Sequence, residues 1–201
     1  MYIFKTPHIF RWIFPRKVWG VSSSNKVYLT FDDGPTADLT HWILNELEKE
    51  NIKATFFCVG QNAKQHPQLM DEMRSRGHVV GNHTMQHEHG NKTSKQDYLK
   101  SIEEAEPFTS KTLFRPPYGR LPINYIKPIR KNYKIIMWSW LSYDYDQKVS
   151  EEKIIAKANK IKAGDILVLH DNSKVEDRLK IILPQIIKVV KDKGLQFEVI
   201  N

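Results

Sequence analysis

From Lys26 onward, short β-branched and aromatic runs alternate with stretches of helical periodicity, and this alternation constrains the fold more than any other feature of the 201-residue chain. Residues 26–31 (KVYLTF), 54–59 (ATFFCV), 78–81, 113–115, 133–138, 165–170 and 195–200 read as seven strands. Helices fit between them. Leu39, Ile43 and Leu47 recur at helical spacing, and Pro67 opens a helix that Gly77 closes. Ser94 and Asp97 form a capping box ahead of Tyr98 and Ile102. Ser150 caps a stretch holding Ile154, Ile155, Ala158 and Ile161 that ends at Gly164, and Pro184 suits the first turn of a final helix. Repeated strand-then-helix units imply a parallel sheet, and seven of them in one small α/β domain favour a barrel. Parallel barrels carry their chemistry on the loops leaving the C-terminal ends of the strands, so those loops are where function is sought.

The apolar content of 40% with five Trp and nine Phe supplies a real core and argues against disorder. A single cysteine excludes an intrachain disulfide and any all-Cys zinc site, so a metal here must use His and carboxylates. Unbroken apolar runs such as residues 166–169 fall far short of the roughly 18 residues that a membrane span needs. Of the formal +8 charge, four cations (Lys5, Arg11, Arg16, Lys17) sit in the first twenty residues, which contain no acid. Residues 1–25 therefore read as a basic, aromatic N-terminal arm ahead of a domain spanning 26–201. Lys5, Pro7, Arg11 and Pro15 interrupt its apolar positions and no small-residue cleavage site follows, so it reads as a retained segment instead of a secretory signal. It either packs on the domain or lies on a membrane surface through residues 1–20.

Three strand ends carry acids or histidines. Thr30-Phe31-Asp32-Asp33-Gly34-Pro35 follows the first, and its paired carboxylates repel unless a cation sits between them or they cap the next helix. His83 and His87 follow the third, four residues apart, a spacing that in a helical turn aims both rings at one ion. With one Asp they make a three-ligand set that leaves positions open for water and substrate. His89 is expected to face elsewhere, and His41, His66 and His78 to be structural. Phe114-Arg115-Pro116-Pro117-Tyr118-Gly119 is a rigid turn that holds Arg115 against a carboxylate and presents the Tyr118 backbone N–H. The run of residues 166–169 stops at His170, a general acid or base in waiting.

The ordered set TFDDGP, HTMQH, RPPYG and ILVLH resembles the polysaccharide deacetylases, that is, carbohydrate esterase family 4 or the NodB-homology domain, over about residues 26–200. The resemblance implies a distorted (β/α)7 barrel and a metal-dependent hydrolase of linear amides that removes N-acetyl groups from a sugar or polysaccharide. It implies that Asp33, His83 and His87 hold a divalent ion, most often zinc, with cobalt, nickel or manganese as substitutes. It makes Asp32 the general base toward the attacking water, Arg115 its ion-pair partner, and the Tyr118 N–H an oxyanion donor. His170 becomes the general acid, and Val168 part of the acetyl pocket. One position departs: where the family carries an aspartate three residues after a tryptophan, this chain has Leu141 after Trp138, while Asp144 matches a second family aspartate and Tyr145 stands where a tryptophan is common. Without a carboxylate partner His170 is expected to have a lowered pKa unless Asp144 or Asp171 compensates. A small non-carbohydrate amide substrate, or an impaired metal- and glycan-binding pseudoenzyme, is the alternative reading. No nucleic-acid motif accompanies the charge, so the expected partner is an N-acetylated glycan, and the expected location is cytoplasmic or at the inner membrane surface.

Overall fold

The computed structural model describes residues 2–201; Met1 of the expected arm lies outside the described residues, as does the side chain of Arg11. Eight parallel-paired strands form: β1 (Lys26–Asp32), β2 (Thr55–Cys58), β3 (Val79–Asn82), β4 (Leu113–Phe114), β5 (Lys134–Ile135), β6 (Trp140–Leu141), β7 (Ile166–His170) and β8 (Gln196–Phe197). Around them lie α1 (Ile9–Ile13), α2 (Ala37–Lys49), α3 (Gly60–Gln65), α4 (Pro67–Ser75), α5 (Lys95–Ala105), α6 (Ile123–Ile129), α7 (Glu151–Ala158) and α8 (Glu176–Asp192). The sheet runs β5-β4-β3-β2-β1-β7-β6, with β8 pairing the start of β1 off this path. The result is the curled, incomplete parallel barrel that the alternation called for. The long strand β1, buried at every residue after Lys26, sits near the middle of the path, and its last residue is Asp32.

Two details depart from the sequence pattern. The expected single strand 133–138 is a seam: Ile136 still donates to Phe114 on the β4 side, while Ser139 and Ser142 donate to Ile166 and Val168 on the β7 side. One stretch of chain thus serves both edges of the sheet. The seven strands of the curved path therefore include β6, and the 195–200 segment contributes only the short β8. The N-terminal arm covers the seam. Val18 pairs with Ile136 and Lys5 with Trp140, Lys5 forms an ion pair with Asp165, and Phe4 is buried.

Pro184 is the ninth residue of α8, well past the first turn. A proline inside a helix costs about 3 kcal/mol. Here the stripe Leu179, Ile182, Leu183, Ile186, Ile187 and Val190 runs fully buried across it, and that packing outweighs the local penalty. The other punctuation behaves as read: Pro67 opens α4, Gly77 follows it at φ +81°, and the Ser94 and Ser150 hydroxyls accept from the N–H groups of Asp97 and Lys153. Among the described residues no helix is long and apolar enough to cross a membrane.

Candidate active site

The strand ends gather the four motifs around one cavity of about 530 Å³. Asp32 closes β1 and His170 closes β7, and the parallel register makes them direct cross-strand partners. Both line the cavity, together with Asp33, His83, His87 and Tyr118.

Asp32 is buried, and its Oδ1 accepts from Arg115 Nη1 at 2.6 Å. The guanidinium is fully buried, and four of its five N–H groups donate to protein acceptors. Nη1 also donates to Thr30 Oγ1 at 2.7 Å, Nη2 to the Met137 carbonyl at 3.0 Å and Nε to the Ile136 carbonyl at 3.3 Å, while the plane lies 4.0 Å from the Phe57 ring centroid. Burial alone disfavours the Arg115 charge, and Asp32 restores part of it.

One residue on, Asp33 turns away at φ +80°. Its Oδ1 stands 3.2 Å from His87 Nε2 and 3.7 Å from His83 Nε2, and its Oδ2 accepts from Asn172 Nδ2 at 2.8 Å. One donor atom from each of Asp33, His83 and His87 lies within 4.8 Å of the other two. His83 Nδ1 donates to the Arg115 carbonyl at 2.8 Å, which fixes the tautomer and leaves the Nε2 lone pair for an ion. Burial lowers the His83 pKa to about 4, so the ring is neutral as a ligand must be. Burial works to raise the Asp33 pKa, but the His87 hydrogen bond and the surrounding histidines outweigh it and hold the group well below the usual carboxylate range. An N₂O donor set of this kind, with its carboxylate ionised and one histidine locked, fits a divalent cation of intermediate softness.

The expected helical turn between His83 and His87 does not form. The segment is a loop in which Thr84 (φ +65°) and His87 (φ +60°) adopt left-handed backbone, tied by Thr84 N–H to Asn82 Oδ1 and Met85 N–H to Ser101 Oγ. The two rings converge through this loop, 5.0 Å apart at their centroids. Tyr118, also left-handed at φ +57° and 60% exposed, lays its ring against His87 at 4.5 Å and His89 at 5.1 Å. His89 is thus a buttress and no part of the ligand cluster.

His170 is not the unsupported histidine that Leu141 implied. Asp144, buried on the loop after β6, accepts from His170 Nδ1 at 2.7 Å through Oδ1 and from the His170 backbone N–H at 2.8 Å through Oδ2. Burial opposes the imidazolium, yet the charge and hydrogen bond of Asp144 prevail, and the pKa is pushed up to about 9. Of the two groups considered able to compensate for Leu141, Asp144 is the one that does, and the lowering does not occur. Arg178 secures the loop by donating to the carbonyls of Asp144 and Asp146 at 2.9 and 2.8 Å. Asp171 plays no part in this: its Oδ2 accepts from Thr40 Oγ1 at 2.5 Å, and burial raises its pKa to about 7. Leu141, Trp138 and Val168 give the cavity an apolar wall. Asn172 and Lys174 at the rim have no motif to announce them; the only available cue was their position just past a strand end.

A sequence profile described as polysaccharide deacetylase matches residues 20–134. The chain belongs to the polysaccharide deacetylase family. Among relatives of this polysaccharide deacetylase, a peptidoglycan-N-acetylglucosamine deacetylase of Bacillus cereus is 32% identical over 191 residues, covering 89% of this chain and 68% of that protein. A chitooligosaccharide deacetylase of Sinorhizobium fredii is 29% identical over 198 residues, covering 90% and 91%. The crystal structure of a peptidoglycan N-acetylglucosamine deacetylase in complex with a naphthyl N-hydroxybenzamide matches with a TM-score of 0.82 at 30% identity, covering 97% of this chain and 95% of that one. The chain thus has the polysaccharide deacetylase fold, and its Asp33, His83 and His87 are placed so that they could hold one metal ion.

Proposed function

We propose that this deacetylase removes the N-acetyl group from N-acetylglucosamine units of a peptidoglycan-like polymer, releasing acetate and leaving a free amine. One observation carries the reading: the working ends of two buried ion pairs, Asp32 of Asp32–Arg115 and His170 of Asp144–His170, open into the same cavity as the Asp33, His83 and His87 cluster. Peptidoglycan is favoured over chitin because relatives at 30% identity or more act on it.

Zinc is the proposed ion for Asp33, His83 and His87, and when bound it supplies a Lewis acid that polarises the acetamido carbonyl and acidifies water. Asp32 takes the proton of the attacking water. Arg115 keeps that carboxylate aimed, since Oδ1 is held by Nη1. The Tyr118 N–H donates to the developing oxyanion, a contribution of roughly 10²–10³ in rate for donors of this type. His170 has Nδ1 committed to Asp144, so it delivers its proton from Nε2 to the nitrogen as the C–N bond breaks. Val168, Leu141 and Trp138 receive the methyl group, and the exposed rings of Tyr118 and Tyr145 offer faces to sugar. The Asp144 support removes the main ground for a pseudoenzyme.

Residues 1–20 are proposed to touch a membrane surface. The deacetylase reading is tested by acetate release from peptidoglycan fragments, chitooligosaccharides and small acetylated amides with zinc-loaded protein. Release from the glycans that vanishes in Asp32→Asn supports it. Equal or faster release from simple amides would transfer the activity to the small-amide reading.

A further inference from the structure

Catalysis leaves the outer face of α1 unexplained. Ile9, Phe10, Trp12 and Ile13 of α1, with Phe14 after it, are more apolar side chains than one inward face can bury. Phe10 and Phe14 do turn inward, stacked 6.4 Å apart and packed on Trp19 at 5.7 and 6.5 Å. Trp12 is instead 84% exposed, with Ile9 at 59% and Ile13 at 57%. Ile123, 74% exposed at the start of α6, borders a cavity of about 330 Å³ that Phe10, Phe14 and Lys17 also line. Gly119 lines both this cavity and the catalytic one, so the apolar face adjoins the catalytic mouth.

Cations gather beside it. Arg16, Lys17, Arg130, Lys131 and Lys134 line a second cavity of about 390 Å³. Among the described residues no Asp or Glu lines either cavity. Lys134 donates to the Asn201 backbone oxygen at 2.9 Å. Lys17 is 9% exposed, its ammonium 5.1 Å from the Phe14 ring centroid, and among the described residues no carboxylate pairs with it. Burial accordingly lowers its pKa. A buried ammonium with only a ring for company gains from an anion entering the cavity.

We propose that Arg16, Lys17, Arg130, Lys131 and Lys134 bind the phosphate of an anionic phospholipid headgroup while Ile9, Trp12 and Ile13 enter the interfacial layer of the bilayer. The inference rests on the membrane contact proposed above and deepens it by assigning the lipid chemistry. An acidic polymer would satisfy the cations and leave an exposed Trp and two Ile in water; a bilayer surface satisfies both sets. Each basic residue at an anionic membrane surface strengthens partitioning by roughly fivefold.

The test is co-sedimentation of the full chain with vesicles of phosphatidylcholine alone and of phosphatidylcholine mixed with phosphatidylglycerol. Acetate release from a soluble chitooligosaccharide serves as the control for folding. The proposal expects binding to the mixed vesicles that weakens with salt. It expects a loss of about thirtyfold in the double variant Arg130→Ala, Lys131→Ala and about tenfold in Trp12→Ser, with acetate release unchanged in both. Equal binding to both kinds of vesicle overturns the headgroup site and leaves the membrane contact. Binding to neither overturns both. Mixed-vesicle binding that Trp12→Ser leaves intact also overturns the proposal, in favour of a purely electrostatic surface for acidic polymers.

Discussion

The base side and the acid side of this site are each built on a buried ion pair, with the roles exchanged. In Asp32–Arg115 the carboxylate works and the cation supports it; in Asp144–His170 the cation works and the carboxylate supports it. Support also comes from different places. Arg115 is held by four hydrogen bonds and an aromatic face drawn from β1, β2 and the 136–137 segment, so it belongs to the barrel. Asp144 stands on an irregular loop after β6, beside left-handed Tyr143 (φ +58°), and Arg178 secures it from α8. The rigid pair suits a base that must stay fixed. The loop-borne pair tunes the proton affinity of an acid.

If that division is right, removing the working group on either side stops chemistry, and removing its support does different things. Asp32→Asn is expected to lower turnover by about 10²–10⁴, the range for losing general base catalysis, with the metal retained. Metal content of the purified variant and single-turnover acetate release check it, and unchanged turnover would move the base elsewhere. Arg115→Ala should act first on stability, by about 3–5 kcal/mol, because it strands a buried carboxylate and two backbone carbonyls. A denaturant midpoint close to wild type would show that the barrel does not depend on the guanidinium.

The supporting carboxylate on the acid side makes a pH prediction. His170 works protonated, so its deprotonation sets the alkaline limb of kcat/KM, near its raised pKa of about 9. Asp144→Asn keeps an acceptor at Nδ1 and removes the charge. Burial then acts with less opposition, and the limb should move to lower pH, toward the ordinary histidine value of about 6.5. A limb that stays in place would mean that Asp32 and Asp33 alone raise the His170 pKa.

The two sides were unequally legible in the sequence. TFDDGP, RPPYG and the His83–His87 pair are compact motifs at strand ends, and a parallel barrel brings strand ends together whatever the helices do, so the convergence of Asp32, Asp33, His83, His87 and Arg115 was legible although the turn expected between the histidines is a left-handed loop. The acid side depended on Leu141 and Asp144, 26 or more residues before His170 and separated from it by α7. Only the fold shows that the loop carrying Asp144 reaches the imidazole where Leu141 contributes wall. Pro184 and the seam at 134–141 were misread for a related reason. Local rules for proline and for a single apolar strand were overridden by a buried stripe in one case and by a change of hydrogen-bonding partner in the other.

The smallest expected effect concerns the ligand shared between the two sides. Asp33 offers Oδ1 to the histidine pair because Asn172, two residues past His170, takes up Oδ2 at 2.8 Å. A carboxylate freed from that amide can rotate, and both its oxygens then compete for the ion and for His87. Partners of metal ligands typically contribute about 10- to 100-fold in affinity or activity. Because Asn172 is partly exposed at the rim and water can replace its amide, Asn172→Ala belongs at the lower end, near tenfold. Zinc affinity measured by competition with a chelator should weaken by that factor, while acetate release at saturating zinc and the pH position of the alkaline limb stay near wild type. Should the limb move with Asn172→Ala, Asp33 would be coupled to His170 as strongly as Asp144 is, and the acid side could no longer be treated as a pair held apart from the metal.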